Sequence, residues 1–546
     1  MPTEEAFVQA IIADPDDDAP RLIYADWLDE QGEGERAEFI RVQCTLNRMD
    51  EEDERRPELE IREWELLGRQ EDEWRRRFET LGVSAEFARG LPELLTVPAK
   101  TFLTEIDRSL AGVAAHRVRF LQASQCMGKL SRCCQLARFG DIDFGGNGLV
   151  ADDIEALAAS RHLTRLCRLS LNNNPIGDNG ARFLALSARL PRLQHLCLYD
   201  TNLGPSGVET LATSRQFGAL QTLELSNNRI GVVGVEMLAT ARNLTALRRL
   251  HLAGNDILAR GLRAVAHATA LPQLEELDLE GNSLSSDGMA SLAASPLLPR
   301  VTRLDLGLNE VGNVGVRMLV GSKQLARLIH LNLDSNRLSA KAAQSLTVTK
   351  NLCQLVSLGL RSNELGVEGV GLLASSPHFP SLKLLDMAEN GIGAWGGKAV
   401  VSSPHLAGLH ALDLSANDLG DLGMQAIAAF PQLSALKNLA LRENDVGDDG
   451  LSALLQTRHL PRLTLLELAG NRITTAGAEA LAASPFLARL CYLDLSRNEI
   501  GAAGAHALLA SPHAPRLREV RLGNNPMSDD EKAELQARFG RRVRWE

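Results

Sequence analysis

Aromatic residues are scarce in this 546-residue chain, at 4% of the total with only 3 tyrosines. At roughly 150 residues per domain the length alone predicts three or four globular domains, but this composition argues against an ordinary multi-domain enzyme. Long apolar runs are absent as well: none approaches the ~18–20 residues that a membrane-spanning helix needs. The opening Met1-Pro-Thr-Glu-Glu-Ala has neither the basic start nor the apolar stretch of a secretory leader. The expected location is the cytoplasm, with no membrane contact.

Cysteine pairs are missing too. The eight cysteines, at 44, 126, 133, 134, 167, 197, 353 and 491, form no C-x-x-C. A chain this long and this rich in leucine has no need of a disulfide framework. Cys126, Cys133 and Cys134 lack partner ligands at zinc-finger spacing, so reduced structural thiols are expected. Nor is there a general basic excess. The net charge is −11, and residues 1–100 hold 27 acidic and 13 basic side chains, a balance of −14. The rest carries 42 acidic and 45 basic, or +3. Neither part is basic enough to announce nucleic-acid binding. Wholesale disorder is excluded by 45% hydrophobic and 23% charged residues.

What is present is a repeat. The segment Leu220-Gln-Thr-Leu223-Glu-Leu225-Ser-Asn-Asn228-Arg-Ile230 reads L-x-x-L-x-L-x-x-N-x-L/I. Its Asn recurs at 147, 174, 228, 255, 282, 309, 336, 363, 390, 417, 444, 471, 498 and 525, with Thr201 in the one vacancy, always 27 residues apart. Leu223 and Leu225 lie two apart and face inward from a strand, while Glu224 faces out. A buried Asn is tolerable if its amide satisfies the backbone of adjacent coils, and Thr201 predicts a weaker rung. A helix follows each strand. The column of Gly234 is Gly in 12 of 15 copies and that of Gly231 in 9. Glycine inside a helix costs ~1 kcal/mol, so its recurrence predicts close approach to a neighbour. Pro296, Pro377, Pro404, Pro485 and Pro512 share a column where they would stop the helix.

This pattern resembles the leucine-rich repeat, and the pairing of strand with long helix resembles its ribonuclease-inhibitor class, whose units are slightly longer. The resemblance implies an α/β fold: a right-handed solenoid, horseshoe-shaped, with a parallel sheet on the concave wall and helices outside. Fifteen repeats are expected over 139–527. A C-terminal cap follows over 528–546, opened by the capping box Ser528-Asp-Asp-Glu531 and ending on the covering strand Arg541-Arg-Val-Arg-Trp545. Degenerate repeats are expected over 81–138, with Leu91–Val97 and Val118–Leu121 as strands and a helix near Lys100–Val113.

Residues 1–50 differ in kind. Thr3 can cap a first helix, Pro15-Asp-Asp-Asp-Ala-Pro20 breaks it, and two more helices follow. The runs Tyr24-Ala-Asp-Trp-Leu and Arg36-Ala-Glu-Phe-Ile-Arg41 resemble the bacterial repeat-companion domain, a short N-terminal module that supplies no catalytic residue. Tyr24, Asp26 and Trp27 read as a small core more readily than a binding site. The Asp14–Asp18 cluster lacks the Gly and terminal Glu of a calcium loop and reads as a solvated turn. Residues 51–80, with Glu51-Glu-Asp-Glu-Arg-Arg and Trp74-Arg-Arg-Arg, read as an exposed helical connector.

Function is expected on the outward strand positions. The central column runs Asp143, Ser170, Cys197, Glu224, His251, Asp278, Asp305, Asn332, Gly359, Asp386, Asp413, Ala440, Glu467, Asp494 and Arg521, and eight of the fifteen are carboxylates. Glu275, Glu276, Glu280 and Asp334 stand beside them. Either a basic partner is recognised or Asp at this column is a habit of the repeat. The candidate contact residues are Tyr199, Glu224, His251, Asp278, Glu280, Asp305, Asp334, Arg361, Asp386, Asp413, Arg442 and Tyr492; Tyr and Arg are favoured at interface hot spots. Cys197 and His251 lie two strands apart, beyond the ~3 Å a nucleophile pair needs. Glu224, His251 and Asp278 could converge on a metal, but neither metal nor cofactor is expected, and no phosphate-binding or hydrolase motif occurs. The chain reads as a monomeric, non-enzymatic scaffold for a protein partner, a basic one where the acidic column is what it meets. The alternatives rest on fold analogy alone: a GTPase regulator, or a host-directed effector.

Overall fold

The computed structural model describes residues 3–49, 55–79, 82–110, 113–268 and 270–545, excluding the side chains of 57, 69–79, 106–110 and 541. Glu51-Glu-Asp-Glu, and the side chains of Trp74-Arg-Arg-Arg and Arg541, lie outside the described residues. Leucines two apart make each coil a strand only three residues long. In Thr222–Glu224 the middle Leu223 is buried and its neighbours are half-exposed. Successive strands pair in parallel at the repeat interval: Thr222 with Arg249, Leu223 with Leu250, Glu224 with His251.

The chain forms two compact units. The first, Met1–Asn255 with Ala268–Gln273, begins with four helices: α1 (Glu4–Ala13), α2 (Ala19–Glu30), α3 (Gly34–Arg48) and α4 (Arg56–Glu79). A strand pair follows, β1 (Ser84–Ala88) antiparallel to β2 (Leu91–Pro98). Next come α5 (Ala99–Leu110) and β3 (Arg117–Leu121), which lies parallel to β2. From β3 the ladder continues in parallel through Asp141–Asp143, Arg168–Ser170, His195–Cys197 and Thr222–Glu224 to Arg249–His251. The second unit, Asp256–His267 with Leu274–Glu546, carries the parallel strands from Glu276–Asp278 to Glu519–Arg521, closed by Val543–Arg544. Among the described residues the antiparallel start is the one departure from parallel pairing.

Two polar ladders hold the coils in register. In the expected one, Asn228 donates from Nδ2 to the carbonyls of Leu198 (2.7 Å) and Leu225 (2.8 Å), and its Oδ1 accepts the N–H groups of Thr201 and Leu203. Each amide thus ties two coils together and meets the demand that buried polar groups be paired. The second ladder lies on the helix side. Ser187 Oγ donates to the Ala158 carbonyl of the preceding coil and accepts the Arg189 N–H, and Ser295, Ser403 and Thr349 do the same in theirs.

Glycines of the Gly234 column leave space for their neighbours. A Cβ on Gly450 would lie 3.0 Å from Asp421 Cα, and one on Gly369 would lie 3.2 Å from Ala340 Cα, both in the preceding helix. Prolines of the shared column do more than stop a helix: Pro404 and Pro485 open 3₁₀ turns, where a missing N–H costs nothing. At the C-terminus Ser528 and Glu531 form the expected capping box over the helix Asp529–Phe539.

The N-terminal helices share a core with the first strands. Val8, Ile11, Tyr24, Leu28 and Ile40 pack with Leu91 and Ala114, and Leu66 of α4 is buried against Phe39, Val42 and Leu46. Thr3 sits at the N-cap of α1 but makes no side-chain cap bond. Tyr24 is fully buried between Phe7 and Trp27, its hydroxyl donating to Glu4, as a core residue would be. Asp18 is not solvated: it is 3% exposed and pairs with Arg48 at 2.7 Å.

Candidate functional site

The outward column begins with a backbone problem. Alternate N–H groups just past each strand point away from the next coil, and the column side chain two residues back accepts them. Asp143 accepts from Gly145, Glu224 from Ser226, Asp278 from Glu280, Asp305 from Gly307, Asp386 from Ala388, Asp413 from Ser415 and Asp494 from Ser496. Asn332 serves Asp334 in the same way. A side-chain acceptor in this column therefore serves the coil itself; where the column holds Gly359 or Ala440, the Arg361 and Arg442 N–H groups turn to Asp334 and Ser415 one coil back. One carboxylate oxygen is used internally, leaving the second to face outward.

In the first unit, that second oxygen of Glu224 accepts from His251 Nδ1 at 2.7 Å. Burial pushes the Glu224 carboxyl up, but the donors His251 and Ser226 outweigh it and hold it below the usual range. Tyr199 is half-buried, its hydroxyl accepting from Asn227. His195 bonds Thr222 Oγ1 at 3.0 Å, and burial together with Arg168 and Arg249 lowers its pKa to about 4. Burial raises the Cys197 thiol, the opposite of what an activated nucleophile needs. Tyr199, Glu224 and His251 thus lie on neighbouring coils, and His251 pairs with Glu224 rather than Cys197.

In the second unit the candidates fall into three groups. Asp278, Glu280 and Asp305 bring one oxygen each within 4.8 Å of one another, the one such trio among the described residues. Burial, then the charge of Asp305, raises the Glu280 carboxyl, while Asp305 itself accepts from Asn332 Nδ2 at 3.0 Å. Asp334 accepts the Arg361 N–H at 2.7 Å. Burial above all, with Asp386 and Asp305 adding to it, pushes its pKa up to about 7. Asp386 is likewise raised, by burial and by Asp413.

The other candidates are engaged within the chain. Arg361 pairs with Glu389, and Arg442 with Glu467 at 2.8 Å and Asp494 at 3.7 Å. Tyr492 carries the Arg521 guanidinium over its ring at 5.2 Å, and burial with Asp494 lifts its pKa to about 12. The sequence reading missed these partners. Glu389 and Arg521 belong to the coil following Arg361 and Tyr492, so pairing columns one repeat apart would have found them. None of the eight cysteines is in a disulfide.

The model of the family described as "Leucine Rich repeat" matches residues 159–185, 220–239, 243–266, 271–293, 299–320, 408–428, 433–455, 459–482 and 490–509. No curated protein matches this chain. Among solved structures it is similar to an internalin of Listeria monocytogenes at 19% identity, over 70% of this chain and 92% of that one, with a TM-score of 0.35. Among the described residues no helix is long and apolar enough to cross a membrane. Nine segments thus match the leucine-rich-repeat model, and the 27-residue period and Asn ladder carry the same coil on in a solenoid fold.

Proposed function

We propose that the chain is a non-enzymatic scaffold that binds a basic segment of a protein partner on the outward strand face, the concave one by repeat geometry. In the second unit its acidic focus is Asp278, Glu280, Asp305 and Asp334, with Asp386 and Asp413 extending it and Arg361, Arg442 and Tyr492 as further contacts; Tyr199, Glu224 and His251 are the candidate contacts of the first unit. The observation that carries this reading is the cluster of Asp278, Glu280 and Asp305, one oxygen of each within 4.8 Å of the others, with the Glu280 and Asp334 carboxyls raised by burial first and by neighbouring Asp charges second. Arg361 and Arg442 answer their own acids further along, whereas here the carboxylates repel one another. A cationic partner would relieve that repulsion.

In this reading the repeats are of the ribonuclease-inhibitor-like class, residues 1–50 are a repeat-companion module, and the protein is a bacterial, cytoplasmic monomer. The test is affinity capture from the native cell with the full chain, against the full chain carrying Asp278→Lys, Asp305→Lys and Asp334→Lys. Loss of the captured proteins supports the acidic wall; the same proteins retained in the same yield would reject it.

A further inference from the structure

We propose a second binding site on the helix-to-strand edge of the first repeats: a groove that takes an acidic peptide segment of a protein partner. The groove has a volume of about 430 Å³ and is lined by Arg132, Arg161, His162 and Arg189 over a floor that includes Ala156 and Ala159. That volume falls within the range of ligand sites, roughly 300–1,000 Å³. No carboxylate lines it.

The charge continues along the same edge. The segments 159–168, 186–195, 213–222 and 240–249, which lead from helix to strand, hold nine arginines and no Asp or Glu. Some of these have structural work: Arg165 donates to the Ile12 carbonyl, and Arg249 to Thr222 Oγ1. Arg132, Arg161, Arg189, Arg192, Arg215 and Arg242 are exposed, and among the described residues none forms an ion pair. Arg161 contacts only the neighbouring His162 ring, at 3.4 Å. Helix C-termini attract cations here, but each macrodipole supplies only about half a negative charge against one or two guanidiniums per repeat. The edge therefore keeps a positive excess.

The occupant follows from the balance of near and far fields. A duplex, a long single strand or an anionic membrane meets the whole chain, whose net charge is −11, and the groove lining holds no Phe, Tyr or Trp for bases to stack on. A short acidic segment meets only what lies within a Debye length, ~8 Å at physiological salt, and there the guanidiniums dominate. Their planar forks suit carboxylate and phosphate oxygens alike.

The test uses the full chain and a short fluorescent peptide of consecutive glutamates, with a glutamine peptide as control. Anisotropy should show binding to the glutamate peptide that weakens with salt. Arg132→Glu, Arg161→Glu and Arg189→Glu together should weaken it at least tenfold, with the thermal melt unchanged because all three side chains are exposed. The corresponding Lys triple should lose less, and Arg337→Glu, in the second unit and paired with Glu310, should lose nothing. No binding, or binding undiminished in the Glu triple, overturns the proposal. So does tighter binding, through the same arginines, of a single-stranded oligonucleotide or of phosphatidylserine vesicles. A chain that self-associates through these arginines would place a second copy there and overturn it as well.

Discussion

At most rungs of the solenoid an Asn amide reaches back to the preceding coil, and Thr201 shows what happens when it cannot. Its hydroxyl reaches the Leu198 carbonyl at 2.9 Å and Asn228 Oδ1 at 3.3 Å, and it makes no side-chain bond to the coil before. The Ile176 N–H, which an Asn would have served, turns instead to the Asn174 carbonyl at 2.7 Å. Thr201→Asn should restore the missing bonds and stabilise the chain by about 1–2 kcal/mol, read as a higher urea midpoint at unchanged slope. An unchanged or lower midpoint would count against the ladder account. Asp334 makes the second residue-level case. With its folded pKa near 7, above the ordinary ~3.9, the folded state holds a proton that the unfolded chain has released. Stability should therefore fall as pH rises from about 4 to 7. Asp334→Asn removes that loss: its Tm should match wild type near pH 4 and exceed it at pH 8, whereas a constant difference across that window would mean Asp334 is not the titrating group.

At the scale of the element, glycine in a helix has two opposite meanings, and one helix contains both. In Gly366–Ala374 a Cβ on Gly369 would press on Ala340 Cα and Leu365 Cβ, each at 3.2 Å, while one on Gly371 meets nothing within 4 Å. Gly371→Ala should stabilise by ~1 kcal/mol through helix propensity, and Gly369→Ala should destabilise by forcing neighbouring helices apart. Thermal melts of the two single variants decide it, and equal effects would reject the close-packing account. The recurrent column of Gly369 was legible in the sequence as a spatial demand, because a residue costly to helices does not recur without cause. The same period exposed the Asn ladder. The Ser ladder stood in an equally regular column, yet Ser before Pro looks like any loop until the carbonyl one coil back is in place. The outward Asp column was legible as a pattern but not as a mechanism, since its acceptor role depends on which N–H groups the coil leaves unpaired. Which acids answer Arg361 and Arg442 could not be read at all without the coil geometry.

At the scale of the molecule, the charge of −14 over residues 1–100 marks an acidic N-terminal region, and part of it proves to be buried structure. Arg21, wholly inaccessible, pairs with Glu93 of β2 at 2.5 Å and donates to the Asp17 carbonyl at 2.9 Å. Arg89 closes on the same Glu93 at 3.1 Å. No run of residues announces this, because Arg21 and Glu93 lie in different elements and only the shared core of α1–α3 with Leu91 and Ala114 brings them together. The N-terminal helices thus cover the open end of the first unit's sheet, as a solenoid's terminal coil must be covered. Breaking a buried pair by removing one partner leaves a charge without compensation and costs roughly 3–5 kcal/mol. Because coils contact mainly their neighbours, Glu93→Gln should act locally. Hydrogen exchange should show lost protection in residues 3–48 and 91–121, with the coils beyond about residue 170 protected as before. Uniform loss along the chain would mean the unit unfolds as one, and no loss in α1–α3 would mean that apolar packing alone holds the helices to the sheet.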